Sequence, residues 1–260
     1  MNMRTKINYL ALFISSSLAA SGATVSWDGG GVDDNWNTAD NWSNNLVPST
    51  GDVVTIGSAY TVNRAVSGGV SNITLNLDGT FNVVSGGVFR ADGSTINVSS
   101  TGVLTGTATT RFYDFNNATV NFENGAQFIQ GYWENKGTNV FKFELGSSGF
   151  STLTPTFFNQ GGGSTQADAT YTVDMQYFTG STGVITLVDF GSDVAAIDET
   201  EFAKATLSVI NAGGYTANLQ WNETDSAIEL NVTAAVPEPS STSLLGLAGF
   251  SMLLRRRRGC

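Results

Sequence analysis

Between Asp52 and Phe150 short apolar-x-apolar segments return at almost fixed intervals. They are Val54-Thr55-Ile56, Leu75-Asn76-Leu77, Ile96-Asn97-Val98, Val120-Asn121-Phe122 and Phe141-Lys142-Phe143, with starts 21, 21, 24 and 21 residues apart. Alternation of this kind marks half-buried strands. Second segments lie between them, at Tyr60-Thr61-Val62, Phe81-Asn82-Val83, Val103-Leu104 and Phe128-Ile129, with glycines at the corners. A repeat of this length suits a parallel β-helix, in which each coil buries its inward residues only by stacking on its neighbours. A β-sandwich also places strands about ten residues apart, but the near-constant spacing favours the solenoid. The expected fold class is all-β: a right-handed parallel β-helix over 52–160, followed by a small antiparallel sandwich or cap, with short apolar helices at the termini.

The period lets columns be read down the stack. If Leu75 and Leu77 face inward, Asn76, Asn97, Asn121 and Lys142 form one outward column. Asp78, Ser99, Glu123 and Glu144 form the next. Carboxylates stacked about 4.8 Å apart need solvent, a cation such as Lys142, or a hard metal ion. Asp78, Glu123 and Glu144 are therefore a candidate Ca²⁺ set, set against the plainer reading of a solvated face. No other cofactor is expected.

A second cluster recurs at one phase of the coils: Phe89-Arg90-Ala91-Asp92, Arg111-Phe112-Tyr113-Asp114 and Tyr132-Trp133-Glu134-Asn135-Lys136. At that phase Arg90 and Arg111 could stack, and as a catalytic face Arg111 or Lys136 would neutralise an acidic sugar while Asp114 and Glu134 served as base and acid. As structure it is a surface ladder of ion pairs, each contributing about 0–1 kcal/mol. The structural reading is preferred, with no catalytic residues assigned.

Residues 24–51 hold three of the five tryptophans, Trp27, Trp36 and Trp42. They would close the open end of the solenoid with bulky apolar surface, or else form an aromatic platform that contacts carbohydrate. Beyond the glycine run 161–163 the pattern changes. Alternating stretches at 171–175 and 215–221, with further strands at 184–188, 205–210 and 228–232, read as an antiparallel cap over 165–235. One short helical turn is expected near 198–204. Trp221 and Tyr215 would support a carbohydrate-binding role for that unit.

The inventory excludes several chemistries. There is no His, and the one Cys is Cys260, so disulfides, His/Cys metal sites and His-dependent nucleophilic catalysis are absent. The formal net charge is −10, but 24–235 holds 21 acidic against 6 basic residues, or −15. Such a field repels nucleic acid and anionic lipid, and no nucleic-acid partner is expected.

Positive charge is concentrated at the two ends. Arg4 and Lys6 precede the apolar stretch 7–14 and a small-residue run, so 1–23 reads as a secretory signal peptide. At the other end Val236-Pro237-Glu238-Pro239 leads through a Ser/Thr spacer to the apolar run 244–254 and then Arg255, Arg256, Arg257 and Arg258. An apolar helix closed by arginines is an insertion signal. From 240 to 254 it would span roughly 22 Å at 1.5 Å per residue, short for a permanent anchor.

This tail, 236–260, resembles the PEP-CTERM sorting signal of Gram-negative bacteria. The Trp-rich entry and repeats resemble autotransporter-like β-helical passengers. The first resemblance implies export by the secretion machinery, a transient inner-membrane stay with a C-terminal transmembrane helix, and processing near Pro237-Glu238-Pro239 by an exosortase-type membrane peptidase. The expectation is a non-enzymatic structural or adhesive (adhesin-like) protein of the cell surface or extracellular matrix, in contact with extracellular polysaccharide. The alternatives are a polysaccharide-degrading β-helix, lyase or hydrolase, and a carbohydrate-binding module.

Overall fold

The computed structural model describes residues 22–84, 87–106, 113–155, 157–160, 169–191 and 199–234. The expected signal peptide, 1–23, lies outside the described residues except for its last two, and the expected tail with its apolar helix, 236–260, lies wholly outside them.

Strand β1 (Thr24–Ser26) leads into triplets that each place one strand on each of three faces. These are β2 (Val53–Ile56), β3 (Thr61–Arg64) and β4 (Ser67–Gly69), then β5 (Thr74–Leu77), β6 (Thr80–Val83) and β7 (Val88–Asp92). They continue with β8 (Thr95–Val98), β9 (Val103–Gly106) and β10 (Tyr113–Asn116), then β11 (Thr119–Phe122), β12 (Gln127–Ile129) and β13 (Tyr132–Lys136). Strands β14 (Asn139–Glu144) and β15 (Phe157–Gln160) continue two of the faces. Then come β16 (Ala169–Asp174), β17 (Gly183–Asp189), a single helical turn α1 (Glu199–Phe202), β18 (Thr206–Ile210), β19 (Tyr215–Asn222) and β20 (Ala227–Ala234).

The long sheet runs β1-β2-β5-β8-β11-β14-β16-β18, the second β3-β6-β9-β12, and the third β4-β7-β10-β13-β15. Every pairing in these three sheets is parallel. Strands β17, β20 and β19 form a separate antiparallel sheet in that order. The molecule is thus a parallel β-solenoid with an appended antiparallel sheet, as the repeat implies.

Two strands depart from expectation. The segments 171–175 and 205–210, read as antiparallel, belong to β16 and β18 and extend the long sheet past 160. Val140 pairs with Thr170 and Thr170 with Thr206, so the steps lengthen from 21–24 residues to 30 and then 36. Long excursions hide the period although the register holds. The antiparallel unit is accordingly one three-stranded sheet rather than a sandwich.

The turn from the third sheet into the long sheet has its own chemistry. Asn72, Gly93, Asn117 and Gly137 occupy this corner in successive coils, with φ of 55°, 61°, 52° and 62°. Left-handed backbone is inexpensive only for Gly and, through local hydrogen bonding, Asn. A Cβ on Gly93 would also lie 2.5 Å from Asn72 Oδ1.

Inside, one column of the long sheet runs Val54, Leu75, Ile96, Val120, Phe141, Tyr171, all fully buried. It changes from aliphatic to aromatic toward the C-terminal end. There Phe141 stacks on Tyr171 (5.4 Å, 25°) and Phe122 on Phe143 (5.8 Å, 17°), because parallel registry places equivalent side chains over one another. Phe202 of α1 lies over Tyr171 at 5.3 Å and meets Trp221 at 6.0 Å, closing that end.

Candidate functional site

The outward face of the long sheet carries the most regular chemistry. Asn97 Nδ2 donates to Asn76 Oδ1 at 2.8 Å, and Asn121 Nδ2 to Asn97 Oδ1 at 2.7 Å. Asn97 at the centre donates in one direction and accepts from the other, and the row leaves further acceptor and donor sites toward solvent. The same row continues in register through Lys142, Thr172 and Ser208. A shorter amide contact, Asn82 Nδ2 to Asn63 Oδ1 at 2.9 Å, repeats the device on the second sheet. The expected outward column is therefore real, and it is a hydrogen-bonded ladder.

Beside it, Glu123, Glu144 and Asp174 border a groove of about 320 Å³ that also takes in Lys142, Thr172 and Ile210. Glu144 and Asp174 are direct register partners. Burial, then Glu123, then Asp174 raise the Glu144 carboxyl above its ordinary value. Glu123 accepts the Ser100 N–H at 3.0 Å, and Asp174 accepts the Asn211 amide and the Gln176 N–H, each at 2.9 Å. Asp78 does not join them. Ser99 stands in register between Asp78 and Glu123, two strand spacings or roughly 10 Å apart. The Ca²⁺ set Asp78, Glu123 and Glu144 is not assembled, and among the described residues no three carboxylates converge on a metal-sized site. Asp174 was missed because its strand was assigned to the wrong sheet; the alternation Tyr171-x-Val173 already placed it outward.

Trp27, Trp36 and Trp42 do not form a platform. Their exposures are 3%, 1% and 0%, and sugar stacking needs an open ring face. They pack edge to face, Trp27 on Trp42 at 4.9 Å and Trp36 on Trp42 at 4.8 Å. The Trp42 indole N–H donates to the Trp36 carbonyl at 2.8 Å. Asn41, fully buried, binds the Gly31 N–H and the Asp33 and Asn35 carbonyls and so ties the loop beneath them. Carbohydrate contact through these rings is replaced by a plug. Trp221 is likewise buried, against Phe190 and Phe202, and the Tyr215 hydroxyl donates to the Gly180 carbonyl.

On the third sheet the register brings Arg90, Asp114 and Glu134 into one row. Arg111 lies outside the described residues. The strand partner of Arg90 is Asp114, three residues beyond Arg111, so this register does not stack Arg90 on Arg111. Glu134 is 2% exposed and pairs with Lys136 Nζ at 3.2 Å. Two positions along, Asn116 Nδ2 donates to Asp92 Oδ1 at 2.9 Å. The described contacts on this face include an ion pair within β13 and an amide bond from β10 to β7, and the Glu134 carboxylate is closed off from solvent.

The sorting residues Val236, Pro237, Glu238, Pro239 and Arg255 to Arg258 lie outside the described residues. Among the described ones no helix is long and apolar enough to cross a membrane. Neither a comparison with curated proteins nor one with solved structures finds a match to this chain. A family model does match its end: residues 235–258 fit the PEP-CTERM protein-sorting motif. That signal implies an exported protein, held transiently at a membrane and processed by exosortase, a membrane protease.

Proposed function

We propose that the protein is an exported, non-enzymatic structural or adhesive component of the cell surface or extracellular matrix. The sorting motif at 235–258 carries the reading, because the body it addresses is a solenoid whose most regular outward face is the Asn76–Asn97–Asn121 ladder. Rows of neutral donors and acceptors suit polyhydroxylated surfaces, which hydrogen-bond without charge. The net −15 of 24–235 disfavours nucleic acid and anionic lipid as partners.

Incubating the exported protein with a panel of matrix polysaccharides tests the reading. Retention on a polysaccharide without new reducing ends or unsaturated sugars supports an adhesive role. Cleavage products would overturn it in favour of a lyase or hydrolase. The mass of protein recovered outside the cell reports on processing: loss of the segment after the Pro237-Glu238-Pro239 region is the expected outcome.

A further inference from the structure

Arg64 sits on the inward side of the first coil. Alternation along β3 directs Val62 and Arg64 inward, and the register partner of Arg64 in the next coil is Val83. A cation therefore occupies a position where its neighbour is aliphatic. Arg64 is 4% exposed, and burial lowers its guanidinium to about 10, so it stays charged at neutral pH. Its Nε donates to the Val88 carbonyl at 3.3 Å and its Nη2 to the Gly68 carbonyl at 2.9 Å. The guanidinium carbon lies 5.7 Å from the Trp36 ring centre and 5.8 Å from that of Phe89.

These contacts only partly offset the cost of burying the charge. An arginine has five N–H donors; among the described residues two of them meet acceptors and no carboxylate forms an ion pair with it. A buried charge is costly unless it is paired, and cation–π contacts offset only part of that. Arg64 also lines a pocket of about 290 Å³ between the loop after the tryptophan plug and β4. Thr50 and Ser71 place hydroxyl-bearing side chains in its wall, and Val47, Pro48 and Val70 add apolar surface. Ser49 also lines it, but its hydroxyl is committed to Asp52 Oδ2 at 3.1 Å.

We propose that this pocket binds the carboxylate or sulfate of an acidic sugar, with Arg64 as the anion ligand. The guanidinium fork matches a two-oxygen acceptor. The pocket is larger than one oxyanion requires, and its mixed hydroxyl and apolar wall suits a sugar ring, which has both kinds of surface. Because the surrounding body is strongly acidic, recognition is short-range and depends on contact with Arg64 rather than on long-range steering. The site is separate from the ladder on the long sheet, so its failure leaves the adhesive reading untouched.

The test is calorimetric titration of the full chain, at matched ionic strength, with glucuronate, glucose 6-sulfate, glucose and inorganic sulfate. Glucuronate or glucose 6-sulfate is expected to bind at least tenfold more tightly than either glucose or inorganic sulfate. Arg64→Lys keeps the charge without the fork and should weaken binding. Because Arg64 also packs between two rings, its replacement can disturb the plug, so Ser71→Asp serves as the second variant. It places a carboxylate at the pocket wall and should abolish binding while leaving the circular dichroism and melting midpoint near those of the parent. Equal binding of inorganic sulfate or of glucose, full binding by Ser71→Asp, or no binding of either acidic sugar overturns the proposal.

Discussion

The two ends of the solenoid are closed by opposite strategies. At the N-terminal end Trp27, Trp36 and Trp42 come from one short stretch and interlock within it, held by Asn41 and by the Trp42 indole bond. At the C-terminal end the closing groups, Phe202 and Trp221, come from a helical turn and from β19. Phe202 reaches Tyr171, and Trp221 packs on Phe202, only after a long excursion. A plug local in sequence pays little loop-closure entropy, whereas a distant lid pays more and depends on the whole antiparallel sheet being in place. The first end is knit mainly from neighbouring residues and then seated on Phe81 and Phe89, whereas the second is assembled from distant ones.

The contrast can be tested by removing one ring at each end. Trp42→Ala should have the largest effect, about 3–5 kcal/mol in urea unfolding, since Trp42 is fully buried between two other indoles. Trp221→Ala should cost about 3 kcal/mol and preferentially expose β18 and β19 amides to hydrogen exchange, leaving β5 and β8 protected. Equal loss of protection across all coils would mean that the ends are one cooperative unit. Next in size is the corner: Gly93→Val meets both a φ of 61° and the Asn72 amide, and roughly 1–3 kcal/mol is expected. Gly214→Ala, which meets open space in the lid, is its near-neutral counterpart in the same unfolding assay.

Smaller effects belong to the long sheet's surface. Asn97→Ala interrupts the amide ladder on both sides and should cost about 0.5–1.5 kcal/mol, read as a lower urea midpoint with unchanged slope. Glu144→Gln should do the reverse. The folded carboxyl titrates above its unfolded value, so between those two values the folded state binds more protons and stability falls as pH rises. Removing the charge should raise the melting midpoint at pH 7 by the equivalent of roughly 0.2–1 kcal/mol, with the difference vanishing below about pH 4.5, near the ordinary glutamate range. A variant less stable than the parent at pH 7 would show that the carboxylate is better satisfied than its neighbours suggest.

Much of the solenoid was legible because equal coil lengths keep side chains in phase. From Val54 through Phe141 each inward residue announces the next, and the Asn76–Asn97–Asn121 row follows from simple alternation. Tyr171 and Leu207 continue the same column, but steps of 30 and 36 residues carry no period, and local alternation fits parallel and antiparallel strands alike. The tryptophan plug was readable as a buried cap from its apolar bulk, but not its partners, such as Phe81, which lies 5.3 Å from Trp36. Arg64 was legible in principle: carrying the alternation of Val62 two residues further puts it inside. A charged residue ends an apolar pattern by eye, which is why β3 was read one step short of it.

Strand β20 ends at Ala234, immediately before the first residue of the sorting motif, and it is the middle strand of its sheet. A pull applied through the C-terminal segment therefore enters along an axis laced on both sides, to β17 and to β19. Force in that direction shears two ladders simultaneously instead of peeling one hydrogen bond at a time. Load entering through the C-terminal segment therefore meets this antiparallel sheet before it meets the coils that carry the outward ladder.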